Sequence, residues 1–274
     1  MPHKLGLSGS TILSNPEQFH ELFLEELDHI EIGEFPDEDA FKLFIQHLKS
    51  AQRSFGIHSP LMRKNSKYDL IEYVHIEPEK AWYQIEEEAM RLTSLGAEYV
   101  LVHFPYFKTD RNGVVHQEIE QGLQRLSQLQ DKYDIPLVCE PKLGQNRNPC
   151  GIHYLDDFSV ERWEHYGLPL CFDLGDYLLA DADHIFDHIH KWQDYIKVVH
   201  LHNVSYQNGD ANKYIWSPVH PSQEDDPDFY SLKPIIQKLA QGSDVRFLFE
   251  HTPHHVPSKQ YVREGIEWVR TLIK

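Results

Sequence analysis

The chain has 274 residues, 43 of them acidic and 26 basic, for a formal net charge of −17 at pH 7. A field of that sign repels phosphate backbones, and the largest basic cluster (Arg63, Lys64 and Lys67) is too small to reverse it, which argues against nucleic acid as a partner. A hydrophobic share of 41% is ample for a packed core, and the three scattered cysteines make neither a disulfide framework nor a zinc ribbon. No run approaches the roughly 18 apolar residues of a membrane span, and the start, MPHKLGLSGSTIL, lacks a basic-then-apolar leader. The expectation is a soluble cytoplasmic protein.

Short apolar runs alternate with amphipathic segments along the whole length. KLGLS (4–8) reads as a strand. Asn15-Pro16 then supplies a helix cap and a first-turn proline, and Phe19, Leu22, Phe23 and Leu27 recur at helical spacing over 16–28. The pairs that follow are HIEIGEF (29–35) with a helix over 37–53, SFGIHSP (54–60) with 79–95, and YVLVHF (99–104) with 117–133. PLVCE (136–140) precedes 157–166, PLCFDLG (169–175) precedes 181–194, YIKVVHLH (195–202) precedes 228–241, and VRFLFE (245–250) precedes 258–272. Eight strand–helix units in strict alternation match a single-domain (β/α)8 TIM barrel over residues 1–274. An open doubly wound sheet is the competing architecture, but it calls for a glycine-rich phosphate turn, of which GLSGSTIL is a poor version.

In such a barrel the chemistry sits at the carboxyl ends of the strands. Those ends carry His58, His103, Glu140, Asp173, His200 and Glu250 on the third to eighth strands. Residues two apart share a face, so Leu101, Val138, Cys171, Val198 and Leu248 fill the barrel while the residue two places on stands at its rim. Cys139 points outward to the helices. Carboxylates converging on a low-dielectric mouth repel one another unless a cation neutralises them. Imidazole with carboxylate suits zinc, manganese, iron or cobalt rather than calcium. A salt-bridged rim is the competing reading, and basic residues do not stand at matching positions. Glu34, near the end of the second strand, either extends the rim or pairs with a neighbour. His184, His188 and His190 read as a solvent-facing helix.

These strand ends resemble the superfamily of xylose-isomerase-like barrels, which includes endonuclease IV and many sugar isomerases and epimerases. In the isomerase and epimerase branch the resemblance implies one metal held by Glu140, Asp173, His200 and Glu250. In the endonuclease IV branch it implies a second metal joined by His58 (GIHSP) and His103 (LVHFP), and EPKLGQNRNPCG is similar to that branch as well. The departures are specific. FDLGDY places Asp176 where the endonuclease has a histidine, and the long loop NVSYQNGDANKYIWSPVHPSQEDD offers only His220 for its Asp-x-His pair. Asp176 and His220 would form a reduced third metal site with His202 as a helper, or else make ordinary loop hydrogen bonds. HSPL has Leu61 where the endonuclease inserts a tyrosine into DNA.

Two chemistries follow. The first is isomerisation or epimerisation of a small sugar or sugar phosphate, with Glu140 and Glu250 passing a proton as the resemblance implies. Lys142 and Arg147 would hold a phosphate or carboxylate, and Trp216, Tyr106 and Phe107 would wall the pocket; the competing reading is surface charge and packed aromatics. The second is phosphoester hydrolysis on two or more ions, with DNA disfavoured as the substrate. A third, non-enzymatic reading is a barrel that only binds. The expected cofactor is one to three ions of manganese, zinc, magnesium, cobalt or iron.

Overall fold

The apolar runs become the staves of a closed parallel barrel. The computed structural model describes residues 3–111, 115–206 and 214–274. The strands are β1 (Lys4–Ser8), β2 (His29–Ile32), β3 (Ser54–His58), β4 (Val100–His103), β5 (Leu137–Glu140), β6 (Leu170–Asp173), β7 (Ile196–Leu201), β8 (Asn203–Tyr206), β9 (Tyr214–Ser217) and β10 (Arg246–Phe249). β1 to β7 follow one another round the barrel and β10 closes it between β7 and β1, as the (β/α)8 expectation requires. β8 and β9 form a separate antiparallel hairpin within the long loop after β7; residues 207–213 of that loop lie outside the described residues.

The helices are α1 (Glu38–Ala51), α2 (Pro78–Thr93), α3 (Val115–Tyr133), α4 (Cys150–Asp156), α5 (Val160–Glu164), α6 (Leu174–Asp181), α7 (Ile185–Trp192), α8 (Lys233–Leu239) and α9 (Lys259–Leu272). α1 starts where Asp37 accepts from the amides of Asp39 and Ala40. The expected helix over 16–28 is instead a 3-10 helix, Pro16–Leu22, capped by Asn15 as its sequence implies. Phe23 leaves helical geometry once Phe19 and Leu22 are buried, and the chain turns toward β2. The helix expected over 181–194 begins earlier and is broken into α6 and α7, because Asp173 at the end of β6 caps α6 directly through the Asp176 amide (2.9 Å).

Alternation along the strands sorts the core into two layers. Tyr99, Leu101, Val138, Cys171, Val198 and Leu248 fill the barrel interior. Their outward neighbours, among them Val102, Cys139, Phe172 and Phe249, pack under the helices. His188 departs from the solvent-facing expectation: it is buried, with Nδ1 2.5 Å from Asp156 Oδ2, while His184 and His190 are exposed. Among the described residues no helix is long and apolar enough to cross a membrane.

Candidate metal centre

Register brings the rim residues level. His103 on β4 stands opposite Glu140 on β5, and Asp173 on β6 stands opposite His200 on β7. Glu250 follows β10 directly, and its amide donates to Leu201 O, which ties it beside His200. His200 Nδ1 then lies 2.7 Å from Glu250 Oε2, 3.1 Å from Glu140 Oε1 and 3.9 Å from Asp173 Oδ2. One donor atom from each of these four residues falls within 4.8 Å of the others. His58, His103 and Glu140 make a second such group, Glu140, Cys171 and His200 a third, and Glu31, His58 and Glu250 a fourth, so Glu140 belongs to three of them.

The donor chemistry fits a divalent ion. His58 Nδ1 is 3.0 Å from the Ser59 carbonyl, which can only accept, so the neutral ring carries its proton there and turns the Nε2 lone pair to the mouth. That Nε2 is 3.2 Å from His103 Nε2 and 3.5 Å from Glu140 Oε2. Glu140 Oε2 also lies 3.0 Å from His103 Nε2, yet it lacks the alignment of a hydrogen bond and, though fully buried, has no hydrogen-bond partner. A buried carboxylate oxygen left in that state costs free energy unless a cation meets it.

Charge bears this out. Glu31, Glu140, Asp173, Asp176 and Glu250 bring five carboxylates together, and the ammonium of Lys142 pairs with three of them. Burial works against charge on Glu140, but Lys142, His200 and His103 hold its carboxyl well below the usual range. For Glu250 burial is likewise outweighed by His200 and His58, leaving the carboxyl at about 2. Burial also opposes charge on His200, yet Cys171 first and then the carboxylates of Glu250, Glu31 and Glu140 raise it well above the ordinary imidazole range. Asp176 is pushed up to about 7 by burial and by neighbouring Asp173.

Two expectations are corrected. Lys142, expected to hold a substrate anion, has Nζ paired with Glu140 Oε1 (3.1 Å), Asp173 Oδ2 (3.1 Å) and Asp176 Oδ2 (2.6 Å). A basic residue therefore does pair with the rim acids, reached by a side chain turning back from the loop after β5, which strand position does not reveal. Asp176 reaches the edge of the cluster through this lysine and stands in none of the donor groups. His220 does not reach the mouth at all. It caps the 3-10 helix Pro221–Gln223, with Nδ1 accepting from the Ser222 amide (3.1 Å), Nε2 3.0 Å from Glu264 Oε2 and its ring stacked on Tyr261.

The remaining candidates lie around the mouth. His202 Nε2 is 2.9 Å from Asp173 Oδ1, and its ring stacks on Trp216 of β9 at 4.3 Å between centroids. Gly175 makes that stack possible, since a Cβ there would sit 2.1 Å from the indole. Trp216, Arg147, Lys142, Tyr68 and Tyr214 line a cavity of about 470 Å3, with the Arg147 guanidinium over the Tyr214 ring. A second recess of about 370 Å3 is lined by Ser8, Ser10, Glu34, His58, Lys67 and Glu250. Glu34 pairs with Lys67 (3.3 Å) rather than joining the donors. Tyr106 and Phe107 are buried.

Glu31 is the functional candidate that the strand-end rule passes over. It sits inside β2, fully buried, with Oε1 2.9 Å from His200 Nε2. The signal was present: an acid between Ile30 and Ile32, at an inward position where apolar residues belong.

A family model described as a xylose isomerase-like TIM barrel matches residues 18–272. The chain belongs to the xylose isomerase-like TIM barrel family. No curated protein matched the chain. Solved structures similar to this family member include a xylose isomerase-like TIM barrel protein from Mycobacterium smegmatis in complex with magnesium (16% identity, TM-score 0.64, 99% of this chain and 96% of that one). A D-tagatose 3-epimerase-like protein aligns at 15% identity and a TM-score of 0.65, over 99% of this chain and 100% of that one. D-allulose 3-epimerase from Methylomonas sp., in complex with D-allulose, aligns at 12% identity and 0.64, over 98% and 97%. At these identities the likeness is one of fold.

Proposed function

We propose that this barrel is a divalent-metal-dependent isomerase or epimerase of a small sugar or sugar phosphate. The observation that carries the reading is the four-donor set of Glu140, Asp173, His200 and Glu250, with two glutamates flanking one imidazole nitrogen. Those four residues would hold the ion, and His58 and His103 would hold a second with Glu140. When bound, the ion supplies polarisation of the substrate carbonyl.

The chain's own groups do the proton work. Glu250 borders the smaller recess and its side chain is 15% exposed, whereas Glu140, Asp173 and His200 are shut in, so Glu250 takes the proton from the carbon beside the carbonyl. The C–H electron pair moves toward the carbonyl carbon and the oxygen gains charge. Glu140, three strands round the barrel from Glu250, would enter the step protonated and deliver its proton to the opposite face, inverting the centre. Glu250 then releases the proton it took and Glu140 regains one from solvent, so no net proton is consumed. Trp216 and His202 wall the site. With Lys142 committed to carboxylates, Arg147 is the candidate for a phosphate or carboxylate group. Three free, buried cysteines suit a reducing compartment and support a cytoplasmic location.

The second donor set, His58–His103–Glu140, favours one alternative: phosphoester hydrolysis on two ions. DNA is disfavoured as its substrate by the net charge of −17 and by Leu61, which is buried where the endonuclease carries its inserting tyrosine. The deciding experiment incubates Mn2+-loaded protein in D2O with D-allulose, D-tagatose and a panel of sugar phosphates, followed by proton NMR. Solvent deuterium at the carbon beside the carbonyl, with formation of the epimer or isomer, supports the first reading. Absence of exchange with every sugar, together with hydrolysis of a p-nitrophenyl phosphodiester, replaces it with the second.

A further inference from the structure

A metal-binding imidazole needs a lone pair on one nitrogen and a proton on the other, and the partner of the second nitrogen sets both tautomer and ring angle. In His200 the two nitrogens face different worlds. Nδ1 looks into the donor set, and Nε2 looks down the barrel to Glu31 Oε1 at 2.9 Å. Both residues are 0% exposed. The other oxygen of Glu31 accepts from the Tyr99 hydroxyl at 2.7 Å. Tyr99, having given its proton to Glu31, can accept from His29 Nε2 at 3.2 Å, and His29 Nδ1 is 2.8 Å from Ser54 Oγ. The result is a polar column inside a barrel core that is otherwise filled by Leu101, Val138, Val198 and Leu248.

The sequence makes room for it. A Cβ at Gly56 on β3 would sit 2.2 Å from the Tyr99 ring, so glycine at that inward position lets the phenol stand upright beneath the mouth. Four polar side chains in the interior of a barrel are costly unless every one is paired, and here each meets the next.

We propose that Glu31 is a positioning residue for the metal centre: it holds the Nε2 proton of His200, so that Nδ1 is the nitrogen given to the ion, and Tyr99 holds Glu31. The inference rests on the reading of His200 as a metal ligand. One oxygen of Glu31 also falls within 4.8 Å of donor atoms of His58 and Glu250, but both its oxygens are already met, by His200 Nε2 and by the Tyr99 hydroxyl, which assigns it to positioning.

The test compares the full chain with Glu31→Gln and Tyr99→Phe. Mn2+ affinity is measured by titration against a competing chelator, and ring-nitrogen NMR of selectively labelled histidine is recorded without and with Zn2+. The expected result is a Mn2+ affinity about 10–100-fold weaker in Glu31→Gln and more modestly weaker in Tyr99→Phe. In the parent the His200 Nε2–H signal persists through Zn2+ loading while the Nδ1 proton is displaced; in Glu31→Gln the Nε2–H signal shifts or is lost. A folded Glu31→Gln protein that binds Mn2+ as tightly as the parent, with an unchanged His200 signal, overturns the inference. If Glu31→Gln fails to fold, Tyr99→Phe decides by the same two readouts. A parent that binds no ion overturns the metal reading instead, and the metal-free His200 Nε2–H signal, compared with that of Glu31→Gln, then decides the role of Glu31.

Discussion

Lys142 Nζ lies 3.1 Å from Asp173 Oδ2, an ammonium turned back from the loop after β5 onto a carboxylate that also belongs to the four-donor set. The same nitrogen is 3.1 Å from Glu140 Oε1, so a bound cation and the lysine draw on two of the same acids. Lys142→Met is therefore expected to act in opposite directions on two quantities. Without metal, loss of the buried partner destabilises the fold by about 3–5 kcal/mol. With metal, the ion binds more tightly because a competing positive charge is gone. Denaturation in the presence of a chelator reads the first, and calorimetric titration with Mn2+ reads the second. Unchanged or weaker Mn2+ binding counts against the shared role.

Glu250 combines nearness to His200 with an open face on the recess. Glu250→Gln keeps the side-chain shape and one oxygen donor but removes the base. The expected loss in kcat on a sugar substrate is about 10²–10⁴-fold, with hydrogen–deuterium exchange falling in step. Parallel measurement of bound metal separates a lost base from a lost ligand: near-stoichiometric Mn2+ with abolished exchange assigns the proton step to Glu250, and lost Mn2+ does not.

What the sequence revealed, and what it hid, follows from side-chain geometry. Strand ends are fixed by backbone period, so His58, His103, Glu140, Asp173, His200 and Glu250 were legible as a converging set, and Leu101 or Val138 two places earlier as barrel filling. Glu31 was not, because it stands inside β2 rather than at its carboxyl end, where Glu34 follows three residues on. The pairing of Lys142 with the rim acids was hidden because a four-carbon stem can double back by more than strand position records. His220 matched a motif in approximate spacing only, and a loop with its own hairpin carries such a residue elsewhere. Asn15 and Pro16 announced where a helix starts, but its early end depends on the turn into β2, a tertiary demand with no local signature.

His29 gives a pH dependence that can be isolated. Burial first, then Arg246 and Lys4, outweigh Glu98 and lower its pKa from 6.5 to about 3. A depressed folded value means that the unfolded chain takes up the proton first. The contribution of His29 is thus fully present above about pH 6.5 and is lost as pH falls toward 3, at no more than about 1.4 kcal/mol per pH unit. His29→Gln, which can still bond Tyr99 and Ser54, is expected to flatten the acid limb of stability relative to the parent. Urea denaturation of both metal-free proteins between pH 7 and pH 4 measures the difference (the other titrating groups are common to the pair). Parallel curves would mean that His29 charges within the native fold.

His220 distinguishes a structural histidine from a ligand. Its Nδ1 accepts the Ser222 amide at the start of the 3-10 helix Pro221–Gln223, and Gln223 Oε1 accepts the His220 amide in return at 3.1 Å. The ring also stacks on Tyr261 of α9 at 3.8 Å between centroids, so it fastens the loop beyond β9 to the outer helices. His220→Ala removes one side-chain cap and one stacked ring, for an expected loss of about 0.5–2 kcal/mol from the cap alone. Because both ring nitrogens are already engaged, by Ser222 and by Glu264, the metal content of the folded variant is expected to match the parent. Elemental analysis beside thermal denaturation settles it: lower stability with equal metal fits a cap, whereas loss of one ion per chain at unchanged stability would return His220 to the metal centre.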